Sequence, residues 1–382
     1  MDAGDPPAQR RRCGTDHPPQ CLSPAACPAD GPDAALFRGG GPAYPLGRHL
    51  LARAQAGFRG TARGARIAQG ALADIGRDGV RGLRRFWLAS YPKSGSTWFR
   101  LLVANLRRTE PVDINRLPPS PAIASLRATF DNITLVPSGL LTHEECDLLR
   151  PEAYRAMARM AATGLDDDAH DGAEDATFAK THDAWTQTAQ GQPLLGGPEA
   201  GAGAILIVRD PRDIVASLAS HHGATLDETI DFMGDRRAVY CGRTDRLSRQ
   251  LRQRLLDWSD FNASWLDQRD VQVHLIRYED MKADAAGVLA RALAFAGVKV
   301  SPEAAERAAR FAQFDGLKTQ ELASGFAEAP RPDAERNFFR KGVAGGWHDE
   351  LSAAQAARIE SCHAAMMARL DYQIAEEPRR CA

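Results

Sequence analysis

The chain has 382 residues and sets 48 Lys plus Arg against 49 Asp plus Glu, a formal charge of −1. That length suits one large α/β domain or two small ones, and the even balance excludes a global nucleic-acid signature, so any anion recognition must be local. Aliphatic runs such as residues 204–208 are far too short to span a bilayer. No apolar signal segment is read after the N-terminus, and the seven cysteines offer neither a disulfide framework nor a C-x-x-C zinc site, which makes a reducing cytoplasm the simplest setting.

In chain order, residues 1–45 are rich in Pro, Gly, Asp and Ala without apolar periodicity and are read as a disordered extension. Residues 46–84 carry Arg53, Arg59, Arg63 and Arg66 ahead of Asp74, with glycines that interrupt any helix. They read as a basic, loosely packed segment, with a peripheral membrane or partner contact as the alternative. A compact domain is expected over 85–375, with a tail at 376–382. Residues 85–90 (RFWLAS) read as a buried strand, 97–106 as a helix, and 177–181 (TFAKT) as a second strand. Residues 203–210 (GAILIVRD) are the apolar run of a central parallel strand. A helix over 211–222 follows, with Pro211 in its first turn. Residues 271–280 read as another strand followed by a helical segment, 301–314 as a helix capped by Ser301, and 351–370 as the last helix. Strands alternating with helices predict an α/β fold of three layers with a central parallel sheet, and in such sheets ligands bind beyond the carboxyl ends of the strands. Residues 165–175 read as a solvated acidic loop. The segment 227–245 is left open between a lid and a pocket wall.

The turn between the first strand and helix is Pro-Lys-Ser-Gly-Ser-Thr. It looks like a phosphate-binding turn, but Lys93 precedes the only glycine, Gly95, whereas the common P-loop places its lysine after the last glycine. Backbone amides of Ser94, Gly95, Ser96 and Thr97 at a helix start can hold a tetrahedral anion, with Lys93 adding charge. Trp98 could stack on a planar ring or fill core. Arg209 ends the apolar strand with Ser217 two helical turns on, a second anion site, or else Arg209, Asp210, Arg212 and Asp213 form a surface ion-pair network. Arg340, Lys341 and Gly342 form a basic pair on a Gly-rich loop. His182 follows a strand beside Lys180 and suits a general base; His221 and His222 are rivals, or a charged helix end. No metal-ligand spacing is present, so no catalytic metal is expected.

Taken together, YPKSGSTW (91–98), KTH (180–182), RDPRDIVAS (209–217), YEDM (278–281) and FFRKGVAGGW (338–347) resemble, in order, the motifs of the sulfotransferases that use 3′-phosphoadenosine-5′-phosphosulfate (PAPS), in the branch of cytosolic enzymes acting on small hydroxyl compounds, in a bacterial style. The resemblance implies that Lys93, Ser94, Gly95, Ser96 and Thr97 grip the 5′ phosphosulfate and that Trp98, Tyr278 and Phe314 border the adenine. It implies that Arg209, Ser217, Arg340, Lys341 and Gly342 hold the 3′ phosphate, that His182 is the base, and that Lys93 and Lys180 assist transfer. The product nucleotide would be 3′,5′-ADP, and the acceptor a small-molecule hydroxyl, with no nucleic acid and no transmembrane segment. The chain departs from the family at Gly345–His348 (GGWH for GDWK), at residues 311–314 (FAQF), and at the dimer motif, which residues 348–358 do not reproduce. A carbohydrate or glycolipid sulfotransferase is the first alternative; a metabolite kinase and a non-catalytic nucleotide-binding scaffold come after it. Acceptor walls are expected from 107–145, 183–198 and 221–250.

Overall fold

A computed structural model describes residues 84–117, 123–162, 176–329 and 337–374. Residues 1–83, the segment read as an acidic loop at 165–175, and the tail at 376–382 lie outside the described residues.

Four parallel strands form the main sheet: β1 (Arg84–Ser90), β2 (Ala176–Thr181), β3 (Gly203–Val208) and β6 (Val273–Arg277), in the spatial order β2-β1-β3-β6. Alternation along β1 and β3 explains why the sheet is sandwiched. Phe86, Leu88, Ile205 and Ile207 face one core cluster, while Trp87, Ala89, Ala204, Leu206 and Val208 face another. On the first face lie α1 (Ser96–Ala104), α7 (Tyr278–Ala283), α8 (Ala285–Phe295), α9 (Pro302–Phe311) and α10 (Phe314–Ser324). On the second lie α3 (His143–Ala162), α4 (Pro211–His222), α5 (Leu226–Met233), α6 (Trp258–Asp267) and α11 (Ala353–Arg369). Each fully buried Leu or Ile in these clusters contributes about 1.5–3 kcal/mol of burial free energy. The fold is therefore the expected α/β sandwich of three layers. Among the described residues no helix is long and apolar enough to cross a membrane.

Local chemistry sets several boundaries. Asp210 caps α4, accepting from the Arg212 amide, and Pro211 occupies the first turn as expected. Ser301 caps α9 through the Ala304 amide. The strand read over 271–280 ends earlier, because Tyr278 already opens α7. Helices α3, α5, α6 and α10, with α2 (Arg127–Thr134), were not expected, nor was the antiparallel pair β4 (Val239–Tyr240) and β5 (Gln253–Arg254). The segment left open at 227–245 thus holds most of α5 and one strand of this pair. Pro151 sits inside the 20-residue α3, a position that reads as a break in sequence.

The register places the ends of all four strands at one edge. Ser90 lies beside Ile207, Ala89 beside Thr181, and Val208 beside Arg277. The chain after β1 therefore supplies the Lys93–Thr97 turn, the chain after β2 supplies His182, the chain after β3 supplies Arg209, and the chain after β6 supplies Tyr278. Because β2 and β3 flank β1 on opposite sides, this edge is also where the winding order reverses, the usual ligand crevice of such sheets.

Candidate active site

A cavity of about 800 Å³ opens at this edge. Lys93, Gly95, Ser96, Thr97, Trp98, Lys180, His182, Arg209, Ser217, Tyr278, Phe314, Arg340, Lys341 and Gly342 all line it. Of the residues singled out in the sequence, Ser94 alone does not. It is buried beneath the turn, its Oγ without a partner among the described residues.

The turn is strained, and the Ser94 amide, expected to face an anion, instead donates to the Tyr91 carbonyl at 3.3 Å. Lys93 has φ +68° and Gly95 φ +110°, both left-handed. An alanine at 95 would also bring its Cβ to 2.8 Å from the Tyr278 ring, so glycine is required there. Gly95 is the N-cap of α1 and supplies no side-chain cap, which leaves the first amides of the helix for an anion. Arg209 braces the turn: Nη1 donates to the Lys93 carbonyl at 3.2 Å and Nη2 to the Val343 carbonyl at 2.9 Å, while the guanidinium lies 4.3 Å from the centre of the Tyr278 ring. The ion-pair alternative fails for Arg209, and among its neighbours the pairing is buried, not on the surface. Arg212 pairs with Asp210 and Glu360. Asp213 accepts from the amides of Gly345 and Trp347 and so ties the C-terminal loop to α4.

Lys93 Nζ sits 3.7 Å over the Phe338 ring. Burial, with Lys180 and Arg209 nearby, lowers its pKa to about 7. Lys180 Nζ donates to Thr97 Oγ1 at 3.3 Å and to Glu328 at 3.1 Å. The His182 ring is anchored by Nδ1, 2.7 Å from the Ser90 carbonyl. A carbonyl only accepts, so Nδ1 carries the proton and Nε2 is left with its lone pair. Burial first, then Lys180, pushes the His182 pKa down to about 3, so the ring is neutral near pH 7. The segment around it is held hard. The His182 amide donates to Gln253 Oε1, and Asp183, wholly buried, is paired with the equally buried Arg150 of α3 and accepts from the Arg254 amide.

At another wall, Trp98, Tyr278 and Phe314 gather with Lys282. The rings of Trp98 and Tyr278 lie 5.8 Å apart, Lys282 Nζ is 5.5 Å from Trp98 and 5.9 Å from Phe314, and Trp98 Nε1 is fixed by the Ala312 carbonyl. Arg340 forks onto Glu350, and Lys341 Nζ is 2.9 Å from the same carboxylate. Gly342, at φ +63°, runs so close under Phe314 that a Cβ would meet its ring at 2.2 Å.

The sequence reading missed Lys282, Glu328 and Glu350, since isolated charges in helices and loops carry no motif. Of the segments expected to wall the acceptor side, 107–145 supplies Ile123 and Leu126 and 221–250 supplies His221, His222, Tyr240, Cys241, Arg249 and Gln250, whereas Gln253 lies just beyond them. Residues 183–198, expected to reach the acceptor side, do not line the cavity. They fold onto α6 instead, with Trp185 5.1 Å from Trp265. His221 and His222 are on the cavity wall in aromatic contact with Phe338, Phe232 and Tyr240. Among the described residues no group of three or more His, Cys, Asp or Glu could hold a metal ion.

Comparison with known proteins finds sulfotransferases. Residues 200–371 match the family model described as "Sulfotransferase domain". The 3-alpha-hydroxysteroid sulfotransferase of Cavia porcellus is 27% identical over 114 residues, 29% of this chain and 39% of that protein. Cytosolic sulfotransferase 17 of Arabidopsis thaliana is 22% identical over 287 residues, 72% of each chain. The matched segment thus spans only about two fifths of the first mammalian relatives, and these animal and plant proteins give no support to a bacterial origin. A solved structure of retinol dehydratase with androsterone and inactive cofactor PAP superposes at a TM-score of 0.44 with 20% identity, over 78% of this chain and 84% of that one, too loosely to bear on function. The domain match spans β3, β6 and the C-terminal loop, so this part of the chain is similar to a sulfotransferase domain.

Proposed function

We propose that the protein is an enzyme that transfers the sulfuryl group of PAPS to a hydroxyl of a small molecule, releasing 3′,5′-ADP. The observation that carries this reading is the convergence of the phosphate turn, Lys180, His182, Arg209 and the Arg340–Gly342 loop on one cavity. The uncapped start of α1 and Lys93 suit the 5′ phosphosulfate; Arg209, Ser217 and Lys341 suit the 3′ phosphate; Trp98, Tyr278 and Phe314 suit a flat base between them. His182, neutral and with Nε2 unprotonated, takes the acceptor proton while the acceptor oxygen attacks sulfur in line. The bond from sulfur to the bridging oxygen breaks, and Lys93 and Lys180 stabilise the charge left on that oxygen, an effect worth about 3 kcal/mol per well-placed donor. The His-centred site favours small hydroxyl compounds over carbohydrate acceptors, the alternative. The free thiols of Cys146, Cys241 and Cys362 accord with a cytoplasmic setting, and 85–375 is the proposed catalytic domain.

Labelled PAPS with a metabolite extract, followed by mass detection of sulfated products, tests the reading. Sulfated phenols or alcohols are expected; sulfate appearing only on glycans overturns the small-molecule assignment. Calorimetry should show 3′,5′-ADP binding much more tightly than 5′-AMP, and equal affinities would remove the 3′-phosphate site.

A further inference from the structure

Two groups of cations at the cavity already hold an acid of this same chain. At the phosphate turn it is Glu328, in the loop after α10. One carboxylate oxygen, Oε1, takes Arg100 Nη1 at 2.5 Å; the other, Oε2, accepts from Thr97 Oγ1 at 3.0 Å and from Lys180 Nζ at 3.1 Å. Oε2 therefore occupies a point where the start of α1 and a lysine from β2 converge, which is where one oxygen of a tetrahedral anion would be held. Burial alone would raise the Glu328 pKa, but Lys180 and Arg100 hold its carboxyl well below the usual carboxylate range, so it is a full anion. The residue is not part of the sheet framework. Its loop is tied through neighbouring backbone, the Ala327 amide to Asn115 Oδ1 at 2.8 Å and the Gly325 carbonyl to Asn115 Nδ2 at 2.9 Å, so the side chain can leave without the loop unfolding. At the far end of the cavity Glu350 neutralises Arg340 and Lys341 in the same manner.

We propose that Glu328 is an internal counter-anion of the donor site. In the ligand-free protein its carboxylate satisfies Thr97, Lys180 and Arg100, and an incoming phosphate or sulfonate group must displace it. The identity of that incoming group rests on the function proposed above; the displacement itself rests only on charge and geometry. The contact stabilises the empty site, since Lys180 and Arg100 would otherwise be buried cations without a partner. It also weakens ligand affinity in proportion to its occupancy: a site held by its own carboxylate nine times in ten binds about tenfold more weakly than a free one. It further selects for strongly charged groups, because only a ligand that restores all three contacts repays the loss of Glu328.

The test compares wild type with Glu328→Gln, which keeps the side-chain shape and removes the charge, using 3′,5′-ADP and inorganic pyrophosphate as separate probes in calorimetry. Both should bind the variant about tenfold more tightly. The ligand-free variant should melt lower than wild type, and its ligand-induced rise in Tm should be larger. Unchanged or weaker binding of pyrophosphate by the variant overturns the proposal and makes Glu328 a brace for Lys180; pyrophosphate binding to neither protein overturns it equally. If pyrophosphate tightens but 3′,5′-ADP binds neither protein, the counter-anion stands and the donor assignment falls. Should Glu328→Gln not fold, Glu328→Asp, one methylene shorter, draws the carboxylate back from Thr97 and should tighten pyrophosphate several-fold; no change there is again a failure.

Discussion

The phosphate-turn end of the cavity and the hairpin end beside β4 and β5 are built by opposite means. Lys93 to Thr97, His182 and Arg209 each lie within a few residues of a strand end, so a parallel sheet in register delivers them together. His222, Tyr240, Gln250 and Gln253 come from the end of α4, from β4 and from the chain entering β5, and their side chains meet through ring and amide contacts. The first end is rich in cations and has a fixed backbone; the second is aromatic and amide-lined. A site that must bind one nucleotide by its phosphates benefits from backbone geometry that side-chain drift cannot spoil. A site that must fit a particular acceptor gains from walls that change without disturbing the sheet.

The harshest way to break this division is at the residue between the two ends. His182→Ala should cost about 10²–10⁴-fold in turnover while 3′,5′-ADP affinity stays near wild type, because its anchored Nδ1 faces Ser90 and not a phosphate. Loss of nucleotide affinity as well would make its role structural. Arg209→Ala comes next. It removes a charged donor and the brace between the Lys93 and Val343 carbonyls, and should weaken 3′,5′-ADP by about 10–150-fold, equivalent to ~1.5–3 kcal/mol, with little change for 5′-AMP.

Proton linkage probes the same end more gently. Lys93 in the free protein has its pKa lowered to about 7, and an anion bound beside it favours the charged amine and raises that value again. Binding therefore takes up a proton above neutral pH. The affinity of 3′,5′-ADP should fall by up to about tenfold per pH unit between pH 7 and 9, and Lys93→Ala should flatten that profile. Calorimetry in buffers of different ionisation enthalpy reads the proton directly; a flat wild-type profile would show that Lys93 does not contact the anion.

The smallest effects are expected at the hairpin end. Tyr240→Phe and His222→Ala should change the acceptor KM several-fold and leave 3′,5′-ADP affinity unaltered, since these side chains pack on each other and on Phe232. Steady-state kinetics with one acceptor, paired with nucleotide calorimetry, separates the two. If either substitution shifts nucleotide binding as much as acceptor KM, the two ends are coupled.

The sequence by itself determined what is local. The continuous apolar runs of β1 and β3, the Asp210 cap before Pro211, the Ser301 cap and the Lys93–Gly95 turn are each encoded within a few residues, where backbone sterics and hydrogen-bond spacing leave few options. The parallel order of the strands then follows from their alternation with helices. Only the tertiary structure decided the rest. Helix α3 continues through Pro151 because Arg150 and Tyr154 on its buried face are held by Asp183 and Trp87, contacts no periodicity reveals. Residues 183–198 turn away from the cavity because Trp185 finds Trp265. Glu328 reaches Lys180 across 148 residues of sequence, a pairing set by where the loop after α10 meets the end of β2 once the sheet has formed. Short-range chemistry writes the anion turn into the chain, whereas the acids that neutralise it are placed by packing.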